Sequence, residues 1–425
     1  MAGQSPSLSF ALVRLRREPS LPDLPIAARV DQLCQQMGHV WRDRLLTPLV
    51  TIRLFVLQVL HANTAITHLR HLAGFDFSSG SYTEARQRLP LRLLQCLLRE
   101  MIAWADGLTT PLLLLGNRVL IGDGSSASMP DTPPLRRRFG LPPGQTPGIG
   151  YPMARIMGLL DATTGLFVEL LALPLFTHDL RGAISLHRCL RPSDILLGDR
   201  AFCSFAHFCL LNARGVFGCF RLHQRRKDLR PGIQRWRRPV EPPKWMTPAQ
   251  HALLPAWLDV RLVYYTIEQH GYRTQHVWIA TTLLDPRRWS DEQIAQLYGQ
   301  RWPIETCFNH LKTTLKMDVL KCKSVDGVLK ELAVYLLVYN LVRLVMLRAA
   351  RRQQVALSRV SFVDAARCLA AGILGLPCLS KLLINPSRPG RHEPRVIRRR
   401  KKEYDLMTKP RAAYRQHSAT VEVGA

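Results

Sequence analysis

The chain has 425 residues, of which 47% are hydrophobic, so it is long enough and apolar enough for two or three folded domains and is neither a disordered tail nor a peptide. Its 59 Lys and Arg residues outnumber 31 Asp and Glu, which gives a formal net charge of +28 and makes nucleic acid the leading partner. A ribosomal-type protein, another soluble basic protein or a protein on an anionic membrane would have a similar charge, so these alternatives stay open.

Residues 1 to about 110 carry apolar side chains at helical spacing. The clearest sets are Val30, Leu33 and Met37, then Ile52, Phe55, Val56 and Val59, then Leu91, Leu94 and Leu97. A short polar break from Phe77 to Ser81 separates the last helices. Many arginines and the lack of a strong strand pattern predict a helical DNA-binding domain over residues 1–112, with a helical dimerisation module as the open alternative.

The pattern changes at Arg118, where the apolar run from Val119 to Ile121 ends in Gly-Asp-Gly. This run predicts a buried strand that carries Asp123 at its C-terminal end. Two β-type runs follow, Arg155 to Leu160 and Leu166 to Leu173, and the five-residue segment between them suits a hairpin.

A second strand ends in the same way. After a predicted helix at about 180–190, Asp194 is followed by three apolar residues, a glycine and Asp199. Two strands of one sheet are therefore expected to end in carboxylates. An aspartate after a strand is often only a turn or cap residue, so neither acid would identify a site by itself.

A β-rich insertion is predicted after the next helix (about 204–214) and strand (Val216 to Leu222). Residues 223–257 are rich in Arg, Lys, Pro and Trp, and two β-type runs follow, Val260 to Ile267 and His276 to Thr282. We place the insertion at about 223–285.

From Asp291 to about residue 350 the pattern is helical again, and residues 297–315 supply a third carboxylate, Glu305. At about 100° per residue, Glu305 lies next to an apolar stripe fit to pack on a sheet. Its face also carries Tyr298, Arg301, Asn309 and Lys312. Pro303 can start or kink this helix, which makes the phases of Tyr298 and Arg301 less secure.

Two strand-end aspartates and a helical glutamate provide the hard oxygen ligands that two-metal phosphoryl chemistry uses. The ordinary alternative for Arg301 and Glu305, four residues apart, is a surface ion pair.

The most apolar stretch, Leu332 to Leu347, contains Asn340 and Arg343 and is short for a membrane span, which predicts a buried core helix. Ten scattered cysteines without a C-x-x-C pair predict reduced thiols and neither a zinc site nor disulfides. Nothing at the start has the pattern of a secretory signal, so we expect a cytoplasmic protein.

Residues 351–425 are expected to form a helical C-terminal segment and a basic tail. The tail contains a run of five cationic residues, typical of a segment that follows a phosphate backbone without sequence preference. The run is Arg398, Arg399, Arg400, Lys401 and Lys402.

The spacing Tyr298-x2-Arg301-x3-Glu305-x6-Lys312 resembles the Tyr-Arg-Glu-Lys signature of the insertion-sequence DDE transposases. This insertion-sequence-four-like group includes the transposase of transposon Tn-five. The segments from Asp123 to Thr132 and from Gly198 to Phe202 are similar to those around the family's two catalytic aspartates. The likeness runs from about residue 115 to 345, with Ser125 where family members often have threonine.

The resemblance implies an α/β fold with an RNase H-like mixed sheet, flanking helices and the β-rich insertion, over residues 113–350. It implies that Asp123, Asp199 and Glu305 bind two Mg²⁺ ions, for which Mn²⁺ can substitute. One ion then activates water and the other stabilises the leaving oxygen. The implied function is cut-and-paste DNA transposition, which consists of cleavage at the transposon ends and strand transfer into target DNA.

The resemblance also implies DNA contacts. Tyr298, Arg301 and Lys312 would hold phosphates near the transposon end. Trp278 would stack on a flipped-out base, although its apolar β run makes a core tryptophan an equal alternative. We interpret Trp302 as a packing residue.

The implied partners are transposon-end DNA and target DNA, with a homodimer in the DNA complex, no membrane, and a place at the nucleoid of the bacterial cytoplasm. Two other functions stay open, a catalytically inactive DNA-binding relative and a non-transposing RNase H-like nuclease. All three carboxylates are present, which argues against the first. The Tyr-Arg-Glu-Lys helix argues against the second.

Overall fold

The computed structural model describes residues 26–42, 44–108, 113–114, 116–142, 150–222, 229–267, 275–372 and 376–386. The predicted basic run from Arg398 to Lys402 lies outside these residues.

The part of the chain before the sheet is helical where it is described. Its helices are α1 (Ile26–Gln36), α2 (Pro48–Leu60), α3 (Ile66–Ala73), α4 (Ser79–Arg88) and α5 (Leu91–Leu108). The predicted break from Phe77 to Ser81 lies too far along the chain, because α4 already begins at Ser79. The hydroxyl of Ser78 accepts the Ser81 N–H at 3.0 Å, and this N-cap starts the helix.

A mixed β-sheet follows. Its strands are β1 (Leu113–Leu114), β2 (Asn117–Ser128), β3 (Met153–Asp161), β4 (Phe167–Pro174), β5 (Ile195–Gly198), β6 (Phe217–Arg221), β7 (Gly232–Arg237), β8 (Trp257–Ile267) and β9 (Gln275–Thr281). They lie in the order β4-β3-β2-β5-β6-β9-β8-β7, and β1 pairs with the start of β2. The pairs β2–β5 and β5–β6 are parallel, and the other pairs are antiparallel.

Strand β2 is longer than its apolar run predicts. Its polar second half pairs with β3 as far as Ser128, whereas its pairing with β5 stops at Ile121. Asp123 therefore lies within β2, just beyond the parallel pairing, and the prediction that the strand ends there was wrong. The β-type runs of the predicted insertion continue the sheet, since β9 pairs with β6 and β8 pairs with β9.

The remaining helices are α6 (Pro133–Phe139), α7 (Asp179–Leu186), α8 (Phe205–Asn212), α9 (Pro248–Ala252), α10 (Asp291–Gly299), α11 (Pro303–Asn309), α12 (Val325–Arg352), α13 (Phe362–Ala370) and α14 (Leu376–Lys381). Two hydrophobic cores cover the two faces of the sheet. The first core contains Ile121 and Leu197 with residues of α11 and α12, and the second contains Leu120 and Leu196 with residues of α7 and α8.

Helix α12 confirms the predicted core helix. It is long and apolar, and 89% of its most apolar 18-residue window is buried inside the protein. The amide of its buried Asn340 bonds the backbone N–H and carbonyl of Phe167 on β4, each at 3.0 Å. It also packs against α2 and α5, so helices from the start of the chain share the first core with the sheet. The ten cysteines are free thiols, as predicted.

Candidate active site

The strand register brings Asp123 and Asp199 together. Side chains alternate between the two faces of a sheet, and Ile121 and Leu197 both belong to the first core. Asp123 and Asp199 follow two residues later on each strand, so both lie on this face. Ile121 and Leu197 are also the last partners in the parallel pairing, so the two aspartates follow at the same level of neighbouring strands, just beyond that pairing.

The glycine before each aspartate makes room for one aromatic ring. A Cβ atom on Gly122 would lie 3.0 Å from Cε1 of Phe202, and a Cβ atom on Gly198 would lie 2.7 Å from its Cγ. Asp199 helps to place this ring, because its carboxylate accepts the Ala201 N–H at 2.9 Å and begins a short 3₁₀ turn over residues 200–202. Phe202 therefore supports both aspartate-bearing strands from the opposite face.

Two buried histidines support Phe202 in turn. Nδ1 of His207 lies 2.7 Å from the Phe202 carbonyl oxygen, and its Nε2 lies 3.0 Å from Nε2 of His187. A carbonyl oxygen only accepts, so Nδ1 of His207 donates to Phe202, and His187 then donates to His207. Burial lowers the pKa of His187 to about 3 and of His207 to about 4, so both rings are neutral and keep this arrangement at ordinary pH.

Glu305 reaches the site on α11, and Gly158 of β3 lets that helix come close. Gly158 pairs directly with Asp123, and a Cβ atom there would lie 2.8 Å from Cζ of Phe308. Ile304 and Phe308 of α11 are both buried in the first core. Glu305 follows Ile304 at the border of this apolar side, and its side chain is 47% exposed.

The predicted single helix from residue 297 to 315 is interrupted. Helix α10 ends at Gly299, residues 300–302 form a turn, and α11 begins at Pro303. The prediction that Tyr298 and Glu305 share one helical face was therefore wrong. Pro303 accounts for the interruption, because a proline cannot continue the helix that precedes it. A π-helical turn over His310–Thr314 follows α11, which alters the phase of Lys312, a half-buried residue. Tyr298 is only 6% exposed.

Arg301 lies in this interruption and joins two of the three acids. Its Nη2 donates to Oε1 of Glu305 at 2.9 Å, and its Nη1 lies 3.7 Å from Oδ2 of Asp123. The side chain is 12% exposed, and its buried Nε has no hydrogen-bond partner among the described residues. Its guanidinium carbon also lies 5.2 Å from the centroid of the Trp302 ring.

The pKa of Asp123 depends on its burial and on the charges around it. Burial raises the pKa of Asp123 to about 6, and the Gly124 N–H, which the carboxylate accepts at 2.8 Å, opposes this rise. The charge of Asp199 raises the pKa further, that of Arg301 lowers it, and that of Glu305 raises it. Three acids and one arginine thus form a single electrostatic unit around a carboxylate whose charged form is destabilised.

The side chains as placed do not form a finished metal site. Within the described ranges, no three His, Cys, Asp or Glu side chains lie close enough together to hold an ion. Arg301 lies between Asp123 and Glu305 instead. The donor set still fits magnesium, because carboxylate oxygens are its preferred ligands and the destabilised Asp123 carboxylate would gain from a nearby cation.

The two tryptophans lie in different surroundings. Trp278 is partly buried against the second core, 4.7 Å between centroids from Tyr264, and so lies on the sheet face opposite Asp123. Its stacking role stays a prediction, and this position favours the alternative of a packing residue. Trp302 is 53% exposed beside Arg301, so its interpretation as packing was wrong.

Sequence reasoning missed Gly158, Phe202 and the histidine pair. The glycine that precedes each aspartate was the one available signal, since a repeated glycine in a strand indicates a close approach.

Comparison with known proteins adds a family match. The family model described as "Transposase DDE domain" matches residues 115–341, more than half of the chain. A search among curated proteins finds no match. Among solved structures, a piggyBac transposase synaptic complex with hairpin DNA, determined by cryo-electron microscopy, is similar at 11% identity and a TM-score of 0.43, over 89% of this chain and 84% of that one.

Proposed function

Since this chain belongs to the transposase DDE domain family, we propose that it is a DNA transposase of the cut-and-paste type, close to the insertion-sequence-four-like group. It would cleave DNA at the ends of a transposon and join those ends to target DNA. The observation that carries this proposal is that the charges of Asp199 and Glu305 both act on the carboxyl group of Asp123, while Arg301 pairs with Asp123 and Glu305.

The proposed fold of the catalytic part is RNase H-like. Strands β4-β3-β2-β5-β6 supply its five-stranded mixed sheet, with three antiparallel strands followed by two parallel ones. We propose that the chain consists of a helical N-terminal DNA-binding domain (1–112), a catalytic domain (113–350) and a C-terminal segment with a basic tail (351–425).

The three acids of the site share one proposed task. Asp123, Asp199 and Glu305 would hold two Mg²⁺ ions, which supply activation of the attacking water and stabilisation of the leaving oxygen. The protein orients the DNA phosphate against these acids. Hydrolysis would form one P–O bond and break another, which frees a 3′-hydroxyl. In the second reaction that hydroxyl would attack a phosphate of the target DNA, form a new P–O bond and displace the 3′-oxygen of the target strand, which leaves as a hydroxyl.

Cationic and aromatic side chains at the rim would position the DNA. Lys312 is half-buried on the turn after α11, and Arg301 has a planar fork suited to a phosphate. The half-exposed Trp302 offers a ring face beside Arg301. Tyr298 is 6% exposed, so it would reach the DNA with its edge alone, and its backbone carbonyl accepts the Arg301 N–H at 3.0 Å.

Glu305→Gln tests the proposed chemistry. It removes one carboxylate charge while keeping size, so it should leave binding of a duplex from the border of the reading frame intact and abolish Mg²⁺-dependent cleavage. Glu84→Gln is the matched control, because Glu84 also pairs with an arginine four residues away, at 3.5 Å from Arg88 on α4. Undiminished cutting by Glu305→Gln would refute the assignment.

The DNA around the gene separates a transposase from a nuclease. Imperfect inverted repeats that bracket the reading frame, with short direct repeats outside them, are expected for a transposase alone. A homodimer on end DNA is expected by light scattering, and a tagged protein should lie on the nucleoid of the bacterial cytoplasm. If the genome carries several copies of the gene and such repeats bracket none of them, a nuclease is favoured.

A further inference from the structure

The contacts of Arg301 indicate more than phosphate binding. Its guanidinium bonds Glu305 and faces Asp123, which are two of the three carboxylates proposed to hold the metal ions. It reaches both because the turn at residues 300–302 places it between α10 and α11, beside the sheet. A regular helix would have left Arg301 and Glu305 as a simple surface pair.

This position sets Arg301 in competition with a divalent cation. A cation held by Asp123 and Glu305 would face a positive charge that is 12% exposed and therefore weakly screened by water. Arg301 also occupies a lone pair of Glu305 through its hydrogen bond, and at 3.7 Å it acts on Asp123 by its charge alone. Only a group that draws the guanidinium away can give both acids to the cation, and a DNA phosphate fits, since arginine binds phosphate with the same two-pronged geometry.

We propose that Arg301 is a switch residue that couples divalent cation binding to DNA binding, an inference that rests on the proposed function. In the free protein Arg301 holds Asp123 and Glu305 and weakens their affinity for the ions. When an end phosphate takes the guanidinium, the two carboxylates are released to the cations. The protein thus builds its metal site only on DNA.

Manganese binding tests this coupling without any measurement of cleavage. Free Mn²⁺ is followed by electron paramagnetic resonance in a titration of the full chain, with and without a duplex from the border of the reading frame. The same titration of the Asp123→Asn variant with this duplex measures how much manganese the DNA itself binds. We expect the Asp123-dependent affinity of the wild-type protein to rise at least about tenfold when DNA is added.

Arg301→Gln should bind Mn²⁺ at least about tenfold more tightly than the wild-type protein without DNA, and DNA should add little. Arg188→Gln is the matched control, because Arg188 pairs with Glu169 at 2.8 Å away from the site and should behave as wild type. The wild-type titration needs no variant, so it still tests the proposal if Arg301→Gln does not fold.

The outcomes separate the two proposals. Asp123-dependent Mn²⁺ binding that is equal with and without DNA, or no tighter in Arg301→Gln, overturns the switch and leaves the metal site in place. The absence of Asp123-dependent binding in every sample overturns the metal site and, with it, the proposed function.

Discussion

Gly158 lies directly opposite Asp123 in the pairing of β2 with β3, and its missing side chain leaves the space that Phe308 of α11 occupies. Gly158→Ala should therefore push α11, and Glu305 with it, away from the aspartates. We expect a loss of roughly 1–3 kcal/mol of unfolding free energy from overpacking and at least about a tenfold loss of cleavage rate. Urea denaturation and a cleavage time course measure the two effects.

Gly80→Ala is the control for this change. Gly80 lies inside α4, and a Cβ atom there would come no nearer than 3.8 Å to the Ser78 hydroxyl. Alanine in a helix should stabilise by about 0.5–1 kcal/mol and leave cleavage unchanged. A Gly158→Ala protein with wild-type cleavage would show that α11 tolerates displacement.

Phe202→Leu should weaken catalysis more than its stability cost suggests, because Phe202 fits against the glycines that precede Asp123 and Asp199. We expect a loss of roughly 1 kcal/mol in unfolding free energy, since the smaller side chain leaves a gap. The cleavage rate should fall about tenfold. Phe205→Leu, in the same core on α8, should cost similar stability without this fall, and equal rates for the two variants would contradict the positioning role.

Asp123→Asn should stabilise the free protein in a pH-dependent way. Burial raises the pKa of the folded Asp123 to about 6 from 3.8, so its contribution to stability is full below pH 3.8 and is lost as the pH rises through about 6. The variant lacks this loss. Its unfolding free energy should exceed that of wild type by about 1 kcal/mol near pH 4.5 and about 3 kcal/mol above pH 7.

Urea denaturation in the presence of a chelator at these two pH values measures this difference. A gain that is equal at both would mean that the site does not destabilise the Asp123 carboxylate.

Trp302→Ala should weaken the binding of end DNA by about tenfold, because an exposed ring beside the acids can stack on a base or pack on a sugar. Trp257→Ala is the matched control. Trp257 is 51% exposed and lies under Arg237 at 5.9 Å, much as Trp302 lies near Arg301, but it lies on β8, four strands away from β2 and its Asp123. A gel-shift titration that gives the same loss for both would make the Trp302 effect nonspecific.

Local patterns predicted where the two aspartates and the helical glutamate lie in the fold, and their proposed role came from the family resemblance. Apolar runs predict buried strands at Asp123 and Asp199, and the stripe through Ile304 and Phe308 predicts the buried side of α11; all of these patterns depend on neighbours in sequence. They also predict the hairpin of β3 and β4.

The features that patterns missed depend on distant partners. The polar residues after Asp123 have a weak strand propensity, and they are extended because β3 pairs with them. Pro303 indicated a possible break, but only the packing of α10 and α11 decides where Arg301 points. Its proximity to Asp123 joins positions far apart in the chain, which helical periodicity does not contain.

The shared core around α12 has a consequence for how the protein is made. Residues 109–324 separate α5 from α12, so the ribosome releases the early helices long before the helix that completes their packing is synthesised. Until then their apolar sides have no final partner, and α12 itself is apolar enough to aggregate if it emerges unprotected. The first core is therefore completed late in synthesis, once α12 has left the ribosome.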